Sequence, residues 1–425
     1  MQVLINPAID KWKEITQRPH INNADLKSVV SDILNAVKKD GDAALKNFSE
    51  EFDGVDIKNL KVSPEEIAEA LLEVDEELKK AILLAKQNIQ KFHLSQKEEV
   101  KKVETLPGVI CWRKSVAIEK VGLYIPGGTA PLFSTLLMLA IPALLADSKE
   151  IFICTPADKK GKINAVILYV ANLLGLTNVY KVGGAQAIAA MAYGTETIPA
   201  VYKIFGPGNQ YVTCAKQLIN SEGISIDMPA GPSEVAVYAD ETSKPAFIAA
   251  DLLSQAEHGA DSHVLLVANS QIIVDEVLKE IYLQKESLSR SDIITRSLVN
   301  SRFIVMESVD DAFALLNEYA AEHLIIASDN AEELANKVVN AGSVFLGHYS
   351  PESVGDYASG TNHTLPTNGY AKAFSGVSLD SFIKKITFQE LTKEGLKNIA
   401  SAVEIMAAAE GLDAHKNAVS VRLKK

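Results

Sequence analysis

The chain has 425 residues, too many for one ordinary domain, so two main domains plus smaller elements are expected. Hydrophobic residues make up 47% and charged residues 23%, the mix of a globular protein with ample core. Its 42 basic and 54 acidic residues leave a net charge of −12 with no basic block, which argues against nucleic acid or an anionic membrane surface as partner.

The first stretch, MQVLINPAIDKWKE, carries charges where a signal peptide needs its apolar core, and 1–22 is expected to be an N-terminal extension. From Asn23 to Gln96 the chain reads as helices, with VSPEE as the start signal of one of them. After Val103 short β-rich runs alternate with helical stretches: VGLYIP, EIFICTP, NVYKVGG, YKIFGPG, SEVAVYAD, SHVLLVAN, RFIVMES, HLIIAS and GSVFLG. That alternation implies βαβ units and mostly parallel sheets. The charge-free segment from Val121 to Ala146 is broken by Pro126, Gly127, Gly128 and Pro131 into a strand, a turn and a helix of about sixteen residues, short of the roughly 20 that a membrane span needs.

The expected fold is therefore α/β, with two Rossmann-like units of parallel-rich sheet and helical extensions at both ends. One unit takes 23–122 and 235–380, the early helices covering a face of its sheet; the other takes 123–234; a helical tail runs over 381–425. Cys111, Cys154 and Cys214 are odd in number and far apart, which predicts neither disulfides nor a thiolate metal site and fits a reducing cytoplasm.

Three glycine turns follow predicted strands and open predicted helices: IPGGTAP at Ile125, VGGAQAI at Val182 and FGPGNQY at Phe205. Glycine lets backbone N–H groups approach an anion at a helix start. None is GxGxxG, so each reads equally as plain βα turn geometry. DMPAGPSE at Asp227 reads as a rigid loop joining the units, with Ser233 either facing a ligand or starting the next strand.

In LLSQAEHGADSH, Pro245 lies in the first turn of the helix and Gly259 is a natural stop, so the helix is expected to end just after His258. Gln255 and His258, three apart, share a face, whereas Glu257 points about 100° from His258. The negative end of the helix dipole favours a cation there. Glutamine is an uncommon zinc ligand, and a solvated polar helix end is the plainer alternative. Of eight histidines, His20, His93 and His348 read as surface or packing residues and His263 as a strand start. His258, Asp356 and His415 together make a nitrogen/oxygen set suited to zinc. Glu322 and His323 fall where a helix meets a strand, a junction that aims both into one cleft.

Together these segments resemble the histidinol dehydrogenase family. GLYIPGGTAPLFSTLLMLAIPA, VGGAQAIAA, KIFGPGN, DMPAGPSE, DLLSQAEHG, EHLII, AGSVFLG, SPESVGDYASGTNHTLPT and AHKNAVSVR carry the likeness, in the family's order and over essentially the whole chain. Ala260, where the family commonly has proline, is a departure that touches no ligand. The resemblance implies oxidation of L-histidinol to L-histidine through an aldehyde, consuming two NAD+, with one Zn2+ per subunit. It carries zinc ligands onto Gln255, His258, Asp356 and His415, the last donated across an intertwined homodimer with shared active sites. It also implies Glu322 and His323 as the catalytic pair. Ser233, His363 and Glu410 then contact substrate alongside Gln255, His258, His323, Asp356 and His415, while Tyr124, Gln186 and Asn209 lie near NAD+.

Beside that reading stand a zinc hydrolase, in which Glu322 activates metal-bound water, and a metal-dependent binding protein that clamps a small ligand. In the oxidation, His323 is expected to take the hydroxyl proton. None of the three cysteines lies in a polar motif, so the aldehyde step is expected to use water activated by Glu322.

Overall fold

The computed structural model describes residues 2–18, 23–127, 132–229 and 231–424. His20, the GTAP portion of the first glycine turn (128–131) and Ala230 of the joining loop lie outside the described residues.

All nine β-rich runs form strands, divided between two parallel sheets. The first has the spatial order Val179–Lys181, Glu150–Thr155, Lys120–Tyr124, Lys203–Phe205, Ser225–Ile226. The second has the order Gln2–Ile5, Arg302–Val305, His263–Ala268, Glu234–Ala239, His323–Ala327, Ser343–Leu346. Apart from the added Gln2–Ile5 edge, both have the same winding: the chain starts in the middle, runs to one edge, then returns to build the other half. Their strands are apolar on both faces, as helices on both sides require. The Val121–Ala146 segment resolves as predicted into a strand and a helix, Phe133–Leu145, of 13 residues. No described helix is long and apolar enough to cross a membrane.

Four expectations are corrected. The early helices do not cover the sheet formed by residues 234–346. Asn23–Phe48 packs on Gly184–Tyr193 and Gln210–Ser221, Pro64–Glu73 on Ala165–Leu173, and Glu76–Leu94 on Phe133–Leu145, all helices of the five-stranded unit. Periodicity showed that these helices bury a face but not which sheet receives it. The N-terminal segment is no free extension, because Gln2–Ile5 pairs in parallel with Arg302–Val305. The tail begins as a strand: Ile383–Leu391 pairs with Val109–Ala117, which also pairs with Val103–Leu106, in a third, antiparallel sheet. Finally, the Pro245 helix ends at Ala256, so His258 lies in the turn beyond it.

Local signals otherwise held. Ser63 caps Pro64–Glu73 in a capping box with Glu66, as VSPEE predicted. At the FGPGN turn Gly206 has φ +126°, and a Cβ there would lie 2.1 Å from the Tyr124 carbonyl oxygen. The turn is clamped by a buried ion pair of Lys216 with Asp227. Lys216 Nζ donates to the Gly206 carbonyl at 2.9 Å, and Asp227 accepts from the Gly206 N–H at 2.8 Å. Removing one member strands a buried charge. Lys216→Met should therefore lower stability by about 3–5 kcal/mol, and adding Asp227→Asn should recover part of that; urea denaturation of the two variants measures both.

Candidate active site

Two neighbouring strands of the six-stranded sheet begin side by side at this site. Glu322 precedes His323–Ala327, and Ser233 precedes Glu234–Ala239, with His323 in register with Val235. Glu234 is in register with His263 on one side, and on the other its N–H and carbonyl meet side chains. The Glu234 N–H donates to Glu322 Oε2 at 2.8 Å. The Glu234 carbonyl accepts from His323 Nδ1 at 3.2 Å, so Nδ1 carries a proton. His323 Nδ1 also lies 3.7 Å from Glu322 Oε2, and Nε2 lies 3.4 Å from Asp356 Oδ1.

Burial pushes the Glu322 carboxyl up to about 8, against the opposing pull of His323. Burial alone would lower His323, but the carboxylates of Glu322, Asp356 and Glu352 outweigh it and hold the imidazole well above its ordinary range. Asp356 stays below the usual carboxylate range: burial would raise it, and His323, His363 and His258 more than compensate. His258 is open to solvent, yet crowding by the protein lowers its pKa despite Asp356.

Gln255 is buried at the end of its helix, with its amide oriented by what surrounds it. Its nitrogen donates to both carboxylate oxygens of Glu352, at 2.9 and 3.0 Å, and its oxygen accepts from the Glu234 N–H at 3.2 Å. Glu352 and Asp356 lie one turn apart on Glu352–Tyr357, so one helix face delivers both. His363 Nδ1 donates to the Asp356 carbonyl at 2.9 Å, and its Nε2 faces the Thr135 hydroxyl at 3.1 Å. Thr135 belongs to Phe133–Leu145 of the other unit, so the two units meet at His363.

The structure thus gathers Gln255, His258, Asp356, Glu322, His323, His363 and the Ser233 strand start. It does not bring Glu410 or His415 to them. Both are exposed, on a tail whose helices Lys393–Ala409 and Asp413–Leu423 pack on each other and on the antiparallel sheet. Among the described residues no group of three His, Cys, Asp or Glu side chains is arranged to hold a metal ion. The donor set still fits zinc: Asp356 Oδ1 is buried without a hydrogen-bond partner among the described residues, beside the Gln255 amide and the accessible His258 ring.

Tyr124, Gln186 and Asn209 share a separate cleft of about 870 Å3 at the carboxyl ends of the five-stranded sheet. Its lining runs from Tyr124 across Thr155 and Pro156 to Gly184, with Asn209 and Tyr211 on the other side, at the strand ends where ligands usually bind in such sheets. Tyr124 Oη accepts from the Gly184 N–H at 3.1 Å. The start of Gly184–Tyr193 has no side-chain cap, which leaves its backbone donors open to an anion. Asn209 spends its amide oxygen capping its own helix, on the N–H groups of Tyr211 and Val212.

Among the remaining histidines, His263 begins a strand, with Nδ1 2.7 Å from the Tyr319 hydroxyl; His93 is buried on the Ile89 carbonyl; His348 pairs with Asp329. Sequence reasoning missed Glu352, Glu234, Arg18 and Thr135. For Glu352 a signal was present, since it precedes Asp356 by four residues.

The histidinol dehydrogenase family model matches residues 16–423. A histidinol dehydrogenase of Bacteroides fragilis is 58% identical over 425 residues, covering 100% of this chain and 99% of the relative. One of Aliivibrio fischeri is 52% identical over 414 residues, covering 97% of this chain and 93% of the relative. The crystal structure of histidinol dehydrogenase from Elizabethkingia anophelis superposes with a TM-score of 0.98 at 55% identity, covering 100% of this chain and 98% of that one. The hydrolase and binding-protein alternatives find no support in these relatives.

The site yields a pH-dependent outcome for metal-free protein. Burial, with Asp356 and Asp251 adding to it, pushes Glu352 from an ordinary 4.5 up to about 8, against the opposing effect of His323. With the folded value above the unfolded one, its contribution to stability is complete below pH 4.5 and is lost as pH rises towards 8. Glutamine does not titrate. Metal-free Glu352→Gln should therefore melt above the parent at pH 8.5, and the gap should close as pH falls towards 4.5; melting curves across that window decide.

Proposed function

The chain belongs to the histidinol dehydrogenase family, an oxidoreductase acting on histidinol in histidine biosynthesis, and from that premise we propose a zinc-dependent, NAD-linked, four-electron oxidation of L-histidinol to L-histidine through L-histidinaldehyde. The observation that carries this reading is the pair of strand starts that sets Glu322 and His323 around the backbone of Glu234.

Gln255, His258 and Asp356 would hold the zinc, with His415 supplied by the partner of a homodimer, and Tyr124, Gln186 and Asn209 would line the NAD+ site. When bound, zinc holds the substrate's nitrogen atoms in place, and NAD+ accepts the hydride of each oxidation.

The residues of this chain then divide the proton work. With its Nδ1 proton committed to the Glu234 carbonyl, His323 turns Nε2 towards Asp356, and it would take the alcohol proton there as the aldehyde forms, once bound cations relieve the carboxylate charge that holds the ring protonated. Glu322, raised to about 8, is matched to accepting a proton near neutrality. It removes one from water as that water adds to the aldehyde carbon, while His323 returns its proton to the former carbonyl oxygen, giving the hydrate; His323 then takes the hydrate's hydroxyl proton in the second oxidation. Two hydrides leave and two NADH form. Burial raises the Cys154 and Cys214 thiols and so disfavours a thiolate nucleophile. Ser233 and His363, with Glu410 from the partner's tail, would contact the substrate. All three cysteines are free, which fits a reducing cytoplasm.

The homodimer draws support from apolar surface that this chain leaves bare. Ile405 and Met406 are 67% and 65% exposed, and Asp413–Leu423 buries no residue. Val103, Leu106, Ile386 and Phe388 on the antiparallel sheet are also exposed.

Two experiments test the reading. Histidinol-dependent growth of NADH absorbance should appear with zinc and NAD+. In that assay Glu322→Gln should slow the aldehyde step about 10²–10³-fold, an amount suited to losing a general base, and slow the alcohol step far less; equal losses would defeat the assignment. Separately, His415→Ala and His258→Ala subunits, each inactive alone, should regain activity on mixing, because a mixed dimer holds one intact site; no recovery in verified mixed dimers would place His415 elsewhere.

A further inference from the structure

Glu234 holds both catalytic residues with its backbone, so whatever fixes Glu234 fixes them. Its side chain is almost wholly buried and paired with Arg18, from the N-terminal segment. Arg18 Nε donates to Glu234 Oε1 at 2.9 Å and one terminal nitrogen to Oε2 at 2.7 Å, the two-point geometry that only a guanidinium makes. The same terminal nitrogen donates to the Tyr319 carbonyl at 2.7 Å, and the other to the Thr16 carbonyl at 3.0 Å. The guanidinium also lies on the Tyr319 ring, 3.8 Å from its centre. Tyr319 ends the helix that leads into Glu322. Arg18 therefore ties the start of one catalytic strand to the approach of the other. Glu234 Oε1 takes a further bond at 2.7 Å from the N–H of Asn368, in the segment beyond His363.

We propose that the Arg18–Glu234 pair is a positioning device for this oxidation: it sets the separation of Glu322 and His323 and touches neither substrate nor cofactor. This rests on the reading of Glu322 and His323 as the proton-handling pair. The physical reason is that catalytic bases tolerate little misplacement, about 1 Å costing as much as 10²-fold. Backbone bonds hold each start on its outer side, from the His263 N–H to the Ser233 carbonyl and from the Ser343 N–H to the Glu322 carbonyl, but where the two starts face each other Glu234 meets side chains, and there the Arg18 fork supplies the tie.

The test uses full-length dimer loaded with zinc, with folding confirmed by circular dichroism. Arg18→Ala should cut the single-turnover rate of NADH formation about 10-fold or more while leaving the KM for L-histidinol within about 3-fold, since the groups proposed to hold the substrate remain in place. Added guanidinium ion should restore part of the lost rate and methylammonium should not, a response that a loss of stability alone would not give. Arg18→Lys, which keeps the charge and loses the fork, should remain slow. Folded Arg18→Ala at the parental rate, or activity that only tracks the folded fraction without guanidinium rescue, would overturn the proposal. If Arg18→Ala does not fold, Arg18→Lys and Glu234→Gln are read the same way, and parental rates in both overturn it. Glu322→Gln and His323→Gln run alongside: if these turn over normally the base assignment fails, whereas if they are inactive and the Arg18 variants are not, only the positioning device fails.

Discussion

The site depends on the backbone of one residue. The N–H of Glu234 holds the Glu322 carboxylate, and its carbonyl holds the Nδ1 proton of His323. The rest of the strand that Glu234 opens is locked into ladders on both sides, and the Arg18 fork on the Glu234 side chain carries the restraint to its first residue. The acid and the imidazole thus inherit the rigidity of the sheet. The bond to the Glu234 carbonyl also turns the other ring nitrogen, Nε2, towards Asp356.

The two parallel sheets show how one winding serves two purposes. Both reverse strand order beside the central strand that comes first in the chain. In the five-stranded sheet the cleft opens at the carboxyl ends, where glycine turns lead into helix starts rich in unpaired N–H groups. That end suits an anionic ligand. In the six-stranded sheet Glu322 and His323 sit at the amino ends, where the first residues of two strands provide anchoring instead. Helix Phe133–Leu145 joins the two: it follows the Tyr124 strand, and near its start Thr135 reaches His363.

Much of this was legible because it is local. Apolar runs between glycine and proline marked all nine principal strands, and VSPEE marked a helix start by the chemistry of its cap. The junction at Glu322–His323 was visible as a helix pattern meeting a strand pattern. What was not legible is nonlocal. Nothing in the Asn23–Phe48 pattern says which of two similar sheets it covers. Ile383–Leu391, IKKITFQEL, finds its partner some 270 residues earlier at Val109–Ala117. Arg18 gives no sign in sequence that it will meet Glu234, 216 residues on. Ligand residues were read from the family likeness; their spacing alone left a solvated helix end as the plainer choice.

The charges of the site explain why it asks for cations. Glu322, Glu352 and Asp356 lie together, and the positive group they share is the single imidazole of His323. Burial pushes Glu322 and Glu352 up to about 8, and Asp251 nearby to about 7, the response of carboxyls that lack compensating charge. Glu234 forms the contrast: equally buried, it is matched by Arg18 and hydrogen-bonded at both oxygens. A protein that neutralises one carboxylate so fully and leaves its neighbours short has reserved them. A divalent metal and a protonated amino-alcohol, the zinc and histidinol of the proposed reaction, supply the missing positive charge. Binding them would draw Glu322 and Glu352 back towards the ionised state in which Glu322 can act as a base.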